Sequence, residues 1–171
     1  MTGETIEITA ADGTAEAYVS RPDRSDPDLD AYVDALLGLP GVAGTRIGFT
    51  GYCIGGRMAV RAAGLRPDVI AAAGAFHAAG LVVDADDSPH RLVARASGEV
   101  LAGHADHDGS NPPEAVAAFE AAMAAAGVAY TSAIYPGAPH GFTMSDTSVF
   151  DESATERHFA ELEDLLARTL G

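Results

Sequence analysis

The sequence contains one cysteine, Cys53, and no lysine. A lone cysteine cannot form a disulfide within the chain, so the fold is expected to rest on its core alone. No run of 18 or more apolar residues occurs, so no segment is expected to span a membrane. The first residues, Met1-Thr2-Gly3-Glu4, lack the basic and then apolar stretches of a signal peptide. Together these absences predict a cytoplasmic protein. All ten basic residues are arginine, and against 25 acidic residues they leave a net charge of −15. Such a surface repels phosphate backbones, which excludes nucleic acid as an expected partner.

What is present suits a globular enzyme. A chain of 171 residues, 47% of them hydrophobic, fits one domain spanning 1–171. At this size roughly 70% of the unfolded surface can be buried. Thr5 to Thr9 alternates in polarity, Asp12-Gly13 reads as a turn, and Ala15 to Ser20 is extended again, which predicts a β-hairpin. After a polar connection, Arg21 to Ser25, a helix is expected from Asp26, with Pro27 in its first turn. Leu29, Tyr32, Val33, Leu36 and Leu37 would share one face.

Strands are then expected at Arg46–Tyr52, Val69–Phe76, Glu99–Gly103 and Val128–Tyr135. Helices are expected after Cys53 to about Leu65 and after Asn111-Pro112-Pro113, the latter burying Val116, Phe119 and Met123 and stopping at Gly127. One helical turn is expected after Ser88-Pro89. A last helix should open with the capping box Ser153-Ala154-Thr155-Glu156 and bury Phe159, Leu162, Leu166 and Leu170, leaving His158 at the surface. Strands alternating with helices predict an α/β fold with a mainly parallel sheet, flanking helices and an N-terminal hairpin.

Gly51-Tyr52-Cys53-Ile54-Gly55-Gly56 falls between an expected strand and an expected helix. This is the context of a nucleophile elbow, in which the central residue is held on a sharp turn at the carboxyl edge of the sheet. Gly51 and Gly55 would allow the close approach this turn needs. The N–H of Ile54 would face an oxyanion. Further along, Gly103-His104-Ala105-Asp106 ends a strand with an acid, and Ala138-Pro139-His140-Gly141-Phe142 places a histidine after the last strand. The order nucleophile, acid, histidine is that of an α/β-hydrolase triad. In this reading His140 takes the proton of Cys53, and Asp106 orients His140. Other readings stand beside it. Cys53 could be a small buried hydrophobe. His104, Asp106, His107 and Asp108 could bind a metal, or the two aspartates could simply cap a polar turn. His77 and His90 could line a pocket.

The elbow, the Gly103-x-x-Asp106 turn and the Ala138 to Phe142 string together resemble the dienelactone hydrolase family. The likeness implies Cys53, Asp106 and His140 as the triad. It also implies hydrolysis of a small ester or enol-lactone through an acyl-thioester, with no metal or organic cofactor. In the family a strand, a helix and a second strand follow the hairpin, whereas here only Arg21 to Asp26 stands there. At least one βαβ unit, roughly 30 residues, is absent. With it go the loop that supplies a second oxyanion donor and the glutamate that pairs with the resting cysteine. The family's substrate-binding arginine is replaced by the run Gly141-Phe142-Thr143-Met144-Ser145. The alternative is therefore a weakened remnant that binds or interacts rather than catalyses. An open sheet edge invites a second chain, so a homodimer or poor solubility is expected.

Overall fold

The computed structural model describes residues 2–10, 13–21, 26–40, 42 and 44–171. The chain gathers into two units, Met1–Ala43 and Gly44–Gly171. In the first, β1 (Thr2–Ala10) and β2 (Gly13–Arg21) form an antiparallel hairpin with Ala10 opposite Gly13. Asp12 of the expected turn, and residues 22–25 of the connection, lie outside the described residues. The helix α1 (Asp26–Leu37) follows. Its buried row is narrower than expected: Leu29 and Val33 are buried, whereas Tyr32 and Leu36 are exposed. Those two buried residues are one turn apart, on a single i, i+4 line.

The second unit is built on a four-stranded parallel sheet in the order β3-β4-β5-β6, with β3 (Ile47–Tyr52), β4 (Ile70–Phe76), β5 (Glu99–Ala105) and β6 (Tyr130–Tyr135). The crossovers are helical: α2 (Ile54–Leu65), the short α3 (Pro89–Leu92) and α4 (Pro113–Ala126). Every residue of β4 is buried, as a central parallel strand covered on both faces requires. α4 buries Val116, Phe119 and Met123 and ends before Gly127, as its pattern predicts.

The last helix, α5 (Glu152–Leu170), packs against β3, β4 and β5. Phe76, Leu101, Tyr135, Phe142, Leu162 and Leu165 belong to the core cluster beneath it. Its start and its face both differ from expectation. Asp151, rather than Ser153, is the N-cap, its carboxylate accepting from the Ala154 N–H at 2.9 Å. Thr155 instead donates its hydroxyl to the Phe142 carbonyl at 3.0 Å. The buried face runs through Ala154, His158, Leu162 and Leu165, while Phe159 and Leu170 are 48% and 42% exposed. His158 takes the inner position because both of its ring nitrogens find partners there: Nδ1 donates to the Thr155 carbonyl, and Tyr52 Oη lies 3.0 Å from Nε2.

Candidate active site

Cys53 sits at the junction of β3 and α2 with φ 54° and ψ −119°, a backbone conformation that L-residues rarely adopt. Hydrogen bonds hold it there. Its N–H donates to the Phe76 carbonyl at 3.1 Å, and its own carbonyl accepts from the N–H groups of Gly56, Arg57 and Ala79 at 3.1, 3.3 and 3.3 Å. Close approach explains the glycine at 51: a Cβ there would lie 2.1 Å from the Gly55 carbonyl oxygen. At Gly55 itself a Cβ would meet nothing within 4 Å, so the crowding falls on Gly51 and on Gly56, whose Cβ would come within 2.9 Å of the Ala78 Cβ. Gly55 matters to the turn through its backbone, which occupies the space a side chain at 51 would need. Ile54 opens α2, and its N–H has no acceptor within the helix.

The histidine reaches the sulfur. His140 Nε2 lies 3.2 Å from Cys53 Sγ, and His140 Nδ1 lies 2.6 Å from Asp108 Oδ2. A carboxylate only accepts, so the proton sits on Nδ1 and Nε2 presents its lone pair to the thiol. The carboxylate is fixed in turn by Ser110, whose N–H and hydroxyl both donate to Asp108 Oδ1, at 2.9 and 2.6 Å. The Asp108 side chain is nearly buried, which by itself opposes its charge. Hydrogen bonds from His140 and Ser110 outweigh that burial and hold its pKa below the usual carboxylate range.

The expected acid, Asp106, does not touch the His140 ring; the partner is Asp108, two residues further on. Asp106 leaves β5 at the start of a turn and ties it to the loop after β6. Its Oδ2 accepts from the Gly137 N–H at 2.8 Å, and its own N–H donates to the Ala138 carbonyl at 2.8 Å. The Gly137 hydrogen bond lowers the Asp106 pKa. His107, with φ 53°, then reverses the chain and delivers Asp108 to the histidine. The sequence does carry a sign of this. Asp108-Gly109-Ser110 has the form of an Asx turn, in which a carboxylate is oriented by the backbone two residues on.

The same geometry disperses the four residues of the metal reading. His104 is buried, its Nε2 3.0 Å from Ser132 Oγ and its Nδ1 3.2 Å from Asn111 Nδ2, while Asp106 and Asp108 are engaged as above. Among the described residues no group of three or more His, Cys, Asp or Glu side chains is arranged to hold a metal ion. No helix among them is long and apolar enough to cross a membrane.

Cys53 opens onto a cavity of about 490 Å³ lined by Tyr52, His77, Thr143, Met144, His158 and Phe159. His77 packs edge-on against the His140 ring at 5.1 Å, and its Nε2 lies 2.9 Å from Thr143 Oγ1. Burial, helped by the neighbouring His140 ring, lowers the His77 pKa to about 4. Burial also lowers that of His158. His90 stands apart, its Nδ1 2.7 Å from Ser88 Oγ. His158 and Tyr52 are thus members of the cavity wall that the sequence pattern did not single out; the i, i+4 run Ala154-His158-Leu162 is the signal that places His158 inward.

The model of the dienelactone hydrolase family matches residues 6–170. No curated protein matches the chain. Solved structures do. A Klebsiella pneumoniae protein assigned to the dienelactone hydrolases superposes with a TM-score of 0.75 at 23% identity, over 84% of this chain and 60% of that one. A dienelactone hydrolase-like promiscuous phosphotriesterase from metagenomic libraries gives 0.74 at 23% identity, over 85% and 62%. The acylaminoacyl peptidase of Pyrococcus horikoshii gives 0.66 at 19% identity, over 85% of this chain and 27% of that one. At these identities the likeness is one of fold. The chain spans about 60% of the length of the first two structures.

Proposed function

The chain belongs to the dienelactone hydrolase family, and from that premise we propose that it hydrolyses a small carboxylic ester or lactone, with Cys53 as nucleophile, His140 as general base and Asp108 as the acid that orients it. One observation carries this reading: the line from Cys53 Sγ to His140 Nε2 at 3.2 Å and from His140 Nδ1 to Asp108 Oδ2 at 2.6 Å.

His140 Nε2 takes the thiol proton as the sulfur attacks the carbonyl carbon, and the carbonyl π pair moves to oxygen. The Ile54 N–H stabilises that oxyanion, and Asp108 stabilises the imidazolium. When the carbonyl re-forms, the C–O bond to the alcohol breaks. The leaving oxygen takes the proton from His140 Nε2, and the acyl group stays on sulfur as a thioester. Water then gives a proton to His140 and attacks the thioester carbon. Collapse releases the carboxylic acid and returns the proton to sulfur. The cycle consumes one water and needs no redox partner.

Only Arg21 to Asp26 joins the hairpin to the first helix, where the family carries a strand, a helix and a second strand with the loop of a second oxyanion donor. This favours a second reading, a weakened member that binds rather than turns over. Losing one oxyanion donor can cost roughly 10²–10³ in rate, so modest turnover is expected even if the first reading holds. An aryl acetate assay separates them. Burst release of the phenol, abolished in Cys53→Ala, is the expected result; equal rates for the two proteins would contradict the first reading.

A further inference from the structure

The cavity beside Cys53 has walls of a particular chemistry. Tyr52 and Phe159 supply aromatic faces, Met144 a flexible apolar one, and Thr143 a hydroxyl. Two histidines complete it, and both are held neutral at physiological pH: His77 by burial beside His140, and His158 by burial with its ring bonded on both sides. The Thr155 carbonyl can only accept, so His158 carries its proton on Nδ1, and its Nε2 accepts from the Tyr52 hydroxyl. Tyr52 therefore turns only lone pairs toward the cavity.

Among the described residues, positive charge is missing from this wall. The chain has no lysine, and none of the lining residues is arginine. Arg57, four residues from the nucleophile, lies alongside Gly80. Arg157, beside His158 in sequence, is stacked over the Tyr135 ring at 4.1 Å and paired with Glu161 at 2.7 Å. The His140–Asp108 pair adds no net positive charge, and the chain as a whole carries −15. A carboxylate entering this space would lose its hydration without gaining a cationic partner and would approach against a repulsive field.

We propose that this site selects uncharged esters with an apolar or aromatic acyl group and rejects those whose acyl group bears a carboxylate. The inference rests on the hydrolase reading above and adds to it the substrate class. A volume of about 490 Å³ suits a ring or a short branched chain rather than a lipid tail. Met144 is half exposed, so it can carry a longer polar side chain without burying it. It is the position at which the selectivity can be narrowed.

The test uses the full chain and a matched pair, 4-nitrophenyl methyl adipate and 4-nitrophenyl hydrogen adipate, which differ only in the distal ester or carboxylate. Release of 4-nitrophenol is read at several salt concentrations. The wild type is expected to prefer the methyl ester by about 100-fold or more in kcat/KM. Met144→Arg is expected to narrow that preference at least about tenfold, chiefly by lowering KM for the acid. Equal rates on the two substrates would overturn the inference and leave the Cys53 mechanism standing. A preference that Met144→Arg leaves untouched would overturn the place given to the cavity wall. No release from either ester would overturn the hydrolase reading, and the inference with it.

Discussion

The two turns that hold this site, one after β3 and one after β5, are held by different forces. The elbow is a matter of volume. Gly51 packs against the backbone of Gly55 and Gly56 so closely that no side chain fits, and four backbone hydrogen bonds pin Cys53 at φ 54°. The β5 turn is a matter of polar pairing. Asp106 and Asp108 leave the same strand two residues apart, and each finds a different partner: one ties down the Gly137 N–H, the other the His140 ring. Steric crowding leaves one solution, whereas hydrogen bonding chooses among near-equivalent carboxylates by reach. The first kind of turn tolerates no substitution at its contact point; the second can fail functionally while staying folded.

Gly51→Ala gives the sharpest break of that contrast. A Cβ 2.1 Å from a backbone oxygen cannot be relieved by a rotamer change, so the elbow must open. A loss of roughly 4 kcal/mol or more, or failure to fold, is expected in chemical denaturation. Normal stability would show that the elbow is looser than described.

Burial of the neighbouring ring should be visible in pH dependence. The His77 pKa is about 4 in the folded chain against about 6.5 unfolded, so the unfolded state takes up its proton first on acidification. The full contribution of the neutral ring is present above about pH 6.5 and is lost as pH falls from there to about 4. The loss should amount to roughly 1–3 kcal/mol. His77→Asn, which tolerates the positive φ at this position, should flatten the fall of melting temperature over that window. An unchanged slope would mean that another group carries it.

Gly55→Ala is the smallest effect and sets the scale of the first. With nothing within 4 Å of the new Cβ, the variant should stay within about 1 kcal/mol of wild type, on the stabilising side, because alanine favours the first turn of α2. A loss like that of Gly51→Ala would put the crowding at the wrong glycine.

The same contrast explains what the sequence made legible. The elbow could be read because glycines around a cysteine, between an apolar strand and a helix, have few other physical reasons to occur together. The alternation of strands and helices, the buried strand Ile70–Phe76 and the face Val116-Phe119-Met123 could be read from hydrophobic period. Sequence alone points to Asp106 as the acid because it stands where β5 ends. What brings Asp108 rather than Asp106 to the His140 ring is the left-handed residue His107 and the double anchor of Ser110, neither of which hydrophobic pattern reveals. The buried face of α5 departs from its hydrophobic pattern for a related reason. Phe159 is the more apolar side chain, but His158 is the one whose ring nitrogens find Thr155 and Tyr52 in the interior. Polar pairing at long sequence separation outranked hydrophobicity there.

The choice between the two carboxylates is the most direct measure of the account. Asp108→Asn should keep the fold yet lower kcat/KM on an aryl acetate by about 10³–10⁴, because the amide no longer holds His140 with its proton on Nδ1. Asp106→Asn should cost less than about tenfold, since an amide oxygen can still accept from Gly137. Equal losses, or a larger loss at 106, would contradict the assignment of Asp108 as the acid of this site.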